Sequence, residues 1–370
     1  MSNEQTEAKA ALFATRQARV AQLRRRLARA EHEFLLVSGL PNIRYLTGFT
    51  GSSGYLLVAP DFLVLYTDGR YDIQARAQTR DVEVRISTVS VLLAFLEDLK
   101  KRRIRRLGFE QNRISFDTYQ YLRGELRGGR FQPLNGLVEK LRMVKSDGEI
   151  DRIRASVDLN SCAFERVCHK ARPNWSEARL ASEIEYQMRR LGAERAAFET
   201  IAASRERSAL PHAQPTVQNL RRNALIVVDH GAMLDGYASD MTRMICFGRV
   251  DQRQRELFEA VREAQLAAIG AVKAGVRAGT VDRSARKVLK KFKLEKEFSH
   301  STGHGLGLEI HEPPRLGPKE DLRLRAGMVI TIEPGAYVEG VGGVRIEDVV
   351  AVTNNGCEVL TKTPRHLRVL

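Results

Sequence analysis

The segment 224–248, ALIVVDHGAMLDGYASDMTRMICFG, decides the fold of the larger part of this chain. Its first apolar run ends at Asp229, two glycines permit a turn, and a second run returns carrying Asp240. Because side chains alternate between the two faces of a strand, Asp240 is predicted on the same face as Thr242 and Met244. Taken alone, both aspartates are ordinary residues of loops or strand ends. A carboxylate among apolar neighbours, however, lies either at a surface or beside a cation.

Histidines are concentrated in a second segment, HSTGHGLGLEIH (300–311). Three of the chain's eight histidines, His300, His304 and His311, fall in it. The glycines between them let the backbone approach other groups closely. A lone histidine is more often an ordinary core or surface residue, but three histidines among glycines indicate a functional site.

Two further apolar segments carry glutamates. MVITIEPG (328–335) ends its apolar run at Glu333, and GVRIEDVVAV (343–352) places Arg345 and Glu347 on one strand face. The valines around Glu347 indicate burial, and a buried glutamate needs a cation. Two Asp, two Glu and one His form an oxygen-rich set that suits two divalent ions. This set predicts a dinuclear hydrolase using Mn²⁺, Co²⁺ or Zn²⁺ rather than a structural zinc site made of Cys and His.

Composition bounds the remaining possibilities. The chain has 370 residues, 43% of them hydrophobic, with 60 Lys and Arg against 45 Asp and Glu for a formal net charge of +15. These values are typical of a globular protein of about two domains and exclude a disordered or collagen-like chain. No apolar run approaches the ~20 residues of a membrane span, so no membrane partner is expected. Four cysteines without a CxxC pair, and a start without an apolar leader, predict a cytoplasmic protein.

Two domains are predicted, over residues 1–142 and 143–370. The first alternates strands and helices and is expected to be a small α/β domain. Its predicted elements are a helix over 8–31, strands at 34–37, 55–58, 61–66 and 107–110, and a strand from Arg85 followed by a helix over 92–99.

The second domain is predicted to be α+β with mainly antiparallel strands. SDGE (146–149) has the capping-box pattern, in which a Ser and a Glu three residues later cap a helix start, so a long helix is expected to begin there. The other predicted elements are helices over 176–191 and 254–273 and strands at 224–229, 237–248, 328–333 and 343–352.

Four segments together resemble the signatures of the pita-bread metallopeptidases, and their order along the chain is the same. They are DHGAMLDGYASDMTR (229–243), HSTGHGLGLEIHEPP (300–314), ITIEPG (330–335) and GGVRIEDVV (342–350). NIRYLTGFTGSSG (42–54) and TDGRY (67–71) resemble the proline-peptidase branch of that family. The resemblance implies an α+β fold: a C-terminal pita-bread (creatinase/aminopeptidase-like) domain over 143–370 and a smaller α/β creatinase-like N-terminal domain over 1–142.

The resemblance also implies a role for each matched residue. The residues that match the family's metal ligands are Asp229, Asp240, His304, Glu333 and Glu347, with Asp240 and Glu347 bridging two ions. His212 and His311 match residues that contact substrate, and His300 and His311 match residues that orient substrate and stabilise the intermediate. Glu333 is expected to carry the proton from the attacking water to the proline nitrogen. Arg345 matches an arginine beside the bridging glutamate and is expected to contribute to substrate binding and to hold Glu347 or Asp240 in place.

The activity implied is that of an Xaa-Pro aminopeptidase, which removes the first residue of a peptide whose second residue is proline. In this chemistry a hydroxide bridging two divalent ions, here expected to be Mn²⁺ with Co²⁺ or Zn²⁺ as alternatives, attacks the scissile carbonyl. The alternative is an Xaa-Pro dipeptidase (prolidase), and these motifs do not separate the two. A homodimer is also implied.

A non-enzymatic pita-bread module that binds nucleic acid or protein is the alternative of a different class. The net charge and the cluster KKRRIRR (100–106) favour it, because such clusters attract phosphate. No aromatic residues interleave with the cluster, however, and a binding module has no reason to keep all five ligands. Catalysis without a nucleic-acid partner is therefore the prediction.

Overall fold

The structure is a computed structural model that describes residues 3–126 and 128–370, with side chains from residue 15 onward. The chain divides into two compact units, Met1–Arg142 and Met143–Leu370. Among the described helices, none combines the length and the apolar character that a bilayer crossing demands.

The first unit is built on one mixed six-stranded sheet. The helices are α1 (Asn3–Arg29), α2 (Leu40–Thr47), α3 (Asp72–Gln78), α4 (Val91–Lys101), α5 (Phe116–Glu125) and α6 (Glu139–Arg142). The strands are β1 (Leu35–Val37), β2 (Tyr55–Val58), β3 (Leu63–Asp68), β4 (Glu83–Ser87), β5 (Arg106–Glu110) and β6 (Arg130–Leu134). Their order is β4-β3-β2-β1-β5-β6, with β1–β2 and β2–β3 antiparallel and the other pairs parallel. The predicted helix over 8–31 and the predicted strands are present, with ends shifted by a few residues.

The second unit combines four helices with several sheets whose strands are mainly antiparallel. Its helices are α7 (Asp147–Cys168), α8 (Glu177–Arg190), α9 (Gln252–Gly270) and α10 (Ala278–Lys291). Its first strands are β7 (Arg195–Ala196), β8 (Ile201–Ser204), β9 (Ile226–His230), β10 (Ala232–Leu234), β11 (Tyr237–Ala238) and β12 (Met241–Cys246). The remaining strands are β13 (His304–Gly305), β14 (Glu312–Arg315), β15 (Val329–Ile332), β16 (Gly335–Val338), β17 (Gly342–Arg345), β18 (Asp348–Val352), β19 (Cys357–Val359) and β20 (Arg368–Val369).

The predicted capping box at the start of α7 is confirmed. The carboxylate of Glu149 accepts hydrogen bonds from the backbone N–H and the hydroxyl of Ser146, both at 3.0 Å. Glu149 also accepts from the hydroxyl of Tyr237 at 3.0 Å. The cap therefore ties the start of α7 to the strand segment that precedes Asp240.

The sheet β20-β12-β9-β8 separates two hydrophobic cores and so determines where the site lies. Ile226 and Val228 of β9 pack with α7 and α8, whereas Leu225 and Val227 pack with α9 and α10. By the same alternation, Asp229 emerges on the face of Leu225 and Val227. That face also meets β15, β17 and β18. Glu333 directly follows β15, and Glu347 lies between β17 and β18.

Candidate metal and peptide site

Asp229 and Asp240 are brought together by the antiparallel pair β9–β12. Asp229 lies opposite Thr242, so Asp240 is two residues from the register position of Asp229. The single strand predicted over 237–248 is instead two strands, β11 and β12, which belong to different sheets. The chain turns at Ser239, whose hydroxyl accepts from the backbone N–H of Ala232 at 3.0 Å. Asp240 therefore lies at a corner between two sheets rather than within a strand.

Glu347 lies at a second corner of the same kind. The strand predicted over 343–352 is divided into β17, which pairs with β16, and β18, which pairs with β15 and β19. The Glu347 backbone N–H donates to the carbonyl of Thr242 at 3.2 Å. Its side-chain Oε2 accepts from the Thr242 hydroxyl at 2.8 Å. Thr242 thus fixes both the backbone and the carboxylate of Glu347 beside Asp240.

His304 comes to the same place because Gly303 allows its strand to approach β15. A Cβ at Gly303 would lie 2.0 Å from the carbonyl oxygen of Thr331, so only glycine fits. The Nδ1 of His304 lies 3.1 Å from the carbonyl of Gly305 and donates to it, which leaves Nε2 with its lone pair. Nε2 is 3.6 Å from Oδ2 of Asp240 and 3.3 Å from Oε1 of Glu333.

The arrangement of the carboxylate oxygens tests whether the site fits cations. Asp240, His304 and Glu347 each offer a ligand atom, and these atoms lie within 4.8 Å of one another. Within the described part of the chain, Oδ1 of Asp229, Oδ1 of Asp240 and Oε1 of Glu347 are buried and have no hydrogen-bond partner. Buried polar atoms without partners cost about 1–3 kcal/mol each, so they require an explanation. Divalent cations satisfy all three oxygens, and the donor set fits them.

The pKa values of the buried carboxylates also indicate a cation site. Burial raises the pKa of Glu347, and the nearby charges of Asp240, Glu333 and Asp229 raise it further. Burial also raises the pKa of Asp240, and the charges of Asp229 and Glu333 raise it further. Burial raises the pKa of Glu333 to about 7. Carboxylates so close together repel one another when ionised. Among the described residues, Arg345 is the one cation in direct contact with this group of carboxylates, and it contacts Asp229 alone. A further positive charge is therefore needed to keep all four ionised.

Arg345 contacts Asp229, not Glu347 or Asp240 as predicted. Its Nη2 donates to Oδ2 of Asp229 at 2.5 Å, whereas Glu347 or Asp240 was expected. It reaches Glu347 only through Thr242, whose hydroxyl accepts from Nε of Arg345 at 3.1 Å. Its Nη1 donates to the Tyr337 hydroxyl at 2.6 Å and to the carbonyl of Pro211 at 3.1 Å. The side chain is 3% exposed, and these protein partners take up four of its five N–H donors.

The remaining predicted residues line the open side of the site. His212, His300 and His311 face a cavity of about 850 Å³ that also contains the five predicted ligands. Burial lowers the pKa of His300 to about 4, so this side chain is neutral, and its Nδ1 donates to the carbonyl of Ser301 at 2.9 Å. The structure therefore brings together every site residue predicted from the sequence.

Two residues of the cavity region were missed. Tyr337 is buried, and its hydroxyl lies 2.9 Å from Nε2 of His300 while it accepts from Arg345. Tyr337 lies on the same strand face as Gly335 in β16, which begins two residues after Glu333, and this position could have indicated that it faces the site. Arg315 lines the cavity four residues after His311, and among the described residues it has no hydrogen-bond or ion-pair partner. In a chain with 60 Lys and Arg, the sequence does not distinguish an arginine at an exposed strand position from the many others.

A cavity with buried, unpaired carboxylate oxygens at its floor and histidines on its walls is the arrangement of a metal-dependent hydrolase. Residues 151–354 match metallopeptidase family M24, and residues 19–144 match the Creatinase/Prolidase N-terminal domain. The chain therefore belongs to metallopeptidase family M24 and is an enzyme.

Relatives and solved structures agree with this assignment. The Xaa-Pro dipeptidase of Pyrococcus horikoshii is 35% identical over 335 residues, which cover 90% of this chain and 93% of that protein. The structure of an Xaa-Pro dipeptidase from Bacillus anthracis is similar with a TM-score of 0.92, 36% identity, and coverage of 96% of this chain and 100% of that one. An X-Pro aminopeptidase structure from Thermotoga maritima is similar with a TM-score of 0.87, 34% identity, and coverage of 93% and 100%. The predicted fold class, a creatinase-like N-terminal domain joined to an α+β pita-bread domain, is confirmed.

Proposed function

We propose that this enzyme is an Xaa-Pro dipeptidase (prolidase) that hydrolyses the bond before a C-terminal proline. The observation that carries the metallopeptidase activity is the set of three buried, unpaired carboxylate oxygens beside Nε2 of His304. The dipeptidase specificity is supported by relatives named Xaa-Pro dipeptidase at 35–36% identity. The sequence analysis put the Xaa-Pro aminopeptidase first and the dipeptidase second, on motifs that do not separate the two, and the relatives favour the second.

Two divalent ions are proposed to bind Asp229, Asp240, His304, Glu333 and Glu347. Mn²⁺ is the first candidate, with Co²⁺ and Zn²⁺ as alternatives, because the donors are mainly carboxylate oxygens. When bound, such ions supply Lewis-acid polarisation of the scissile carbonyl and an acidified water. The chain's own contribution is to fix the donors, since Arg345 and Thr242 each leave one carboxylate oxygen free for an ion.

The remaining polar residues are proposed to move protons and orient the peptide. Glu333 holds a carboxylate at the floor of the cavity, where it can accept a proton from water and pass it to the proline nitrogen. That nitrogen belongs to a tertiary amide and has no hydrogen of its own, so it must receive a proton to leave. His311 can donate a hydrogen bond to the developing oxyanion, a contribution worth about 3 kcal/mol. His300, also expected in this role, cannot donate there, because its one N–H is bound to the carbonyl of Ser301 and its Nε2 faces the Tyr337 hydroxyl. His212 and the apolar side chains of Phe198 and Ile310 line the space for the proline ring.

Arg315 is proposed to bind the free carboxylate of the dipeptide. Arg315 lines the same cavity as the five proposed ligands, and its N–H donors are not used by described residues. An arginine can bind a carboxylate through two parallel hydrogen bonds. Hydrogen bonds to charged groups contribute about 1.5–3 kcal/mol, which corresponds to roughly 10- to 150-fold in specificity.

An Xaa-Pro aminopeptidase is the second candidate. The similarity to the Thermotoga maritima X-Pro aminopeptidase, at 34% identity over nearly the whole chain, supports it. The two activities differ in the group on the C-terminal side of the proline, which is a free carboxylate for the dipeptidase and a further peptide bond for the aminopeptidase.

The test compares three substrates that differ only after the proline: Ala-Pro, Ala-Pro-amide and Ala-Pro-Ala. We expect the Mn²⁺-loaded enzyme to prefer Ala-Pro over both others by at least tenfold in kcat/KM. Arg315→Gln is expected to raise KM for Ala-Pro about tenfold or more and to leave Ala-Pro-amide unchanged, whereas Arg315→Lys retains part of the preference. Equal or better cleavage of Ala-Pro-Ala would establish the aminopeptidase instead. Absence of metal-dependent cleavage of all three would refute both.

A homodimer and a cytoplasmic location are also proposed, on the resemblance to the proline peptidases and on the cysteine usage. Light scattering of the purified protein tests the first: a mass of about twice 41.6 kDa is expected. A mass near the single-chain value would refute it.

A further inference from the structure

Arg243 is an almost fully buried arginine that the proposed catalytic mechanism does not use. Its side chain is 2% exposed, and it lies on β12 three residues after Asp240. A guanidinium has five N–H donors, and here each has a partner. The five acceptors are the carbonyl oxygens of Thr242 (3.0 Å), Glu347 (2.6 Å), Thr363 (2.6 Å) and Pro364 (3.0 Å), and Oδ1 of Asp348 (2.7 Å).

Four of the five acceptors are backbone carbonyls, so the guanidinium fixes the path of the chain and does not present a charge to a ligand. Two of these carbonyls belong to Thr242 and Glu347, the pair that also shares the 2.8 Å hydroxyl–carboxylate hydrogen bond. Arg243 therefore joins the two corners that carry Asp240 and Glu347. A lysine, with three donors at one point, cannot reproduce this set of contacts.

Asp348, the residue after Glu347, provides the carboxylate that pairs with Arg243. It is fully buried, and its Oδ2 accepts from Nε2 of Gln265 at 2.6 Å and from Nε of Arg365. The carboxylate therefore has two arginine partners, Arg243 and Arg365. Satisfied buried networks of this kind hold their members in one arrangement.

The second arginine comes from the segment Thr363–Arg365, which also supplies two of the carbonyls bound by Arg243. Contacts of the residues before and after it anchor this segment on both sides. The Val349 N–H donates to the hydroxyl of Thr361 at 3.0 Å, and β20 pairs in parallel with the end of β12. The segment thus lies against the strands that lead to both corners.

We propose that Arg243, completed by the segment Thr363–Arg365, is a positioning residue that sets the spacing between Asp240 and Glu347. The inference rests on the proposed role of these two carboxylates as ligands shared by two metal ions. Neither Arg243 nor Arg365 touches substrate or metal in this arrangement. They act through the backbone of Thr242 and Glu347 and through Asp348.

The test measures Co²⁺ binding by titration calorimetry and the visible absorption spectrum of the Co²⁺-loaded protein, which reports ligand geometry. Loss of a residue that supports metal ligands typically weakens metal affinity by about 10- to 100-fold. We expect a loss in this range for Arg243→Lys, with a changed Co²⁺ spectrum. For Ala-Pro, kcat is expected to fall more than KM rises.

Arg365 provides a milder variant, since its side chain is 29% exposed and Asp348 retains Arg243 as a partner. Arg365→Gln is expected to weaken Co²⁺ binding at least threefold, and Arg365→Lys to restore it. Arg368→Gln is the matched control. Arg368 is similarly exposed, at 24%, and pairs with Glu165 on α7, away from the two corners. It should leave Co²⁺ affinity and spectrum unchanged.

The outcomes separate the two proposals. If the unmodified protein binds no Co²⁺, the proposed function fails, and the positioning role fails with it. If the unmodified protein binds Co²⁺ and Arg365→Gln has the same affinity and spectrum, the positioning role alone is overturned, even if Arg243→Lys does not fold. A fall in unfolding midpoint without any change in Co²⁺ affinity or spectrum would likewise mean that the network only stabilises the fold.

Discussion

Thr242→Val removes a single hydroxyl at the centre of the proposed metal site while keeping the shape of the side chain. The hydroxyl accepts from Nε of Arg345 at 3.1 Å and donates to Oε2 of Glu347 at 2.8 Å. Both partners are buried, at 3% and 1% exposure, so water cannot replace the lost hydrogen bonds. The substitution leaves a guanidinium donor and a carboxylate oxygen without their partner.

The size of the effect can be worked out from these two contacts. A hydrogen bond to a charged group contributes about 1.5–3 kcal/mol, and contacts that share one hydroxyl are not additive. We therefore expect the free energy of unfolding of the metal-free protein to fall by about 2–4 kcal/mol. Loss of orientation at Glu347 should also weaken Mn²⁺ binding by about 10- to 100-fold. That factor corresponds to about 1.4–2.8 kcal/mol, which is consistent with the loss of one charged hydrogen bond.

Urea unfolding and Mn²⁺ titration calorimetry measure the two quantities, with Thr242→Ser as the control. Serine keeps the hydroxyl and should bind Mn²⁺ within a few-fold of the unmodified protein. The reasoning is refuted if Thr242→Val binds Mn²⁺ within twofold of the unmodified protein, because the hydroxyl would then have no part in orienting Glu347.

Three further outcomes are expected from the structure. Mn²⁺ at one hundred times its Kd should stabilise the unmodified protein by about 2.7 kcal/mol in a thermal-shift assay, and Asp240→Asn should remove this gain. Gly303→Ala, whose Cβ would lie 2.0 Å from a backbone carbonyl, should destabilise the fold by about 1–3 kcal/mol in urea, whereas Gly148→Ala, in open space, should not. In the first unit, burial alone would raise the pKa of Asp98, but hydrogen bonds from a tyrosine and an arginine and the charges of two arginines lower it. The stabilisation from Asp98 is therefore present above about pH 4 and lost as the pH falls through the lowered pKa, so Asp98→Asn should flatten the acid side of a stability–pH curve.

The sequence predicts the site well because each proposed carboxylate ligand lies in or beside an apolar run. Asp229 ends the apolar part of β9 and Glu333 directly follows β15, and such boundaries are visible as changes in local composition. The histidine cluster is visible in the sequence because glycines alternate with the histidines. At Gly303 the structure requires glycine, since a side chain there would clash with β15. These are local features, and a single sequence records them directly.

The corners at Asp240 and Glu347 were missed for the opposite reason. Alternation continues on both sides of each corner, so the pattern over 237–248 and over 343–352 is that of one strand. What divides each stretch is pairing with distant segments, including β16 for β17 and β15 for β18. Helix α10 was missed because its buried face includes Asp282, which accepts from the backbone and hydroxyl of Thr302, and a buried acid looks like a break in an apolar pattern.

Two threonines explain why the ligands can be identified from sequence while their geometry cannot. Thr331 accepts from the N–H of His304 at 3.1 Å and donates to Oε1 of Glu333 at 3.2 Å, just as Thr242 joins Arg345 to Glu347. On a strand, a threonine is also a common residue with no special role, because β-branched side chains suit strands. Its function depends on a partner 27 or 103 residues away in the sequence. The spacing of the carboxylates is therefore set by residues outside the ligand set, so transferring the five ligands alone to another sheet would not reproduce this metal affinity.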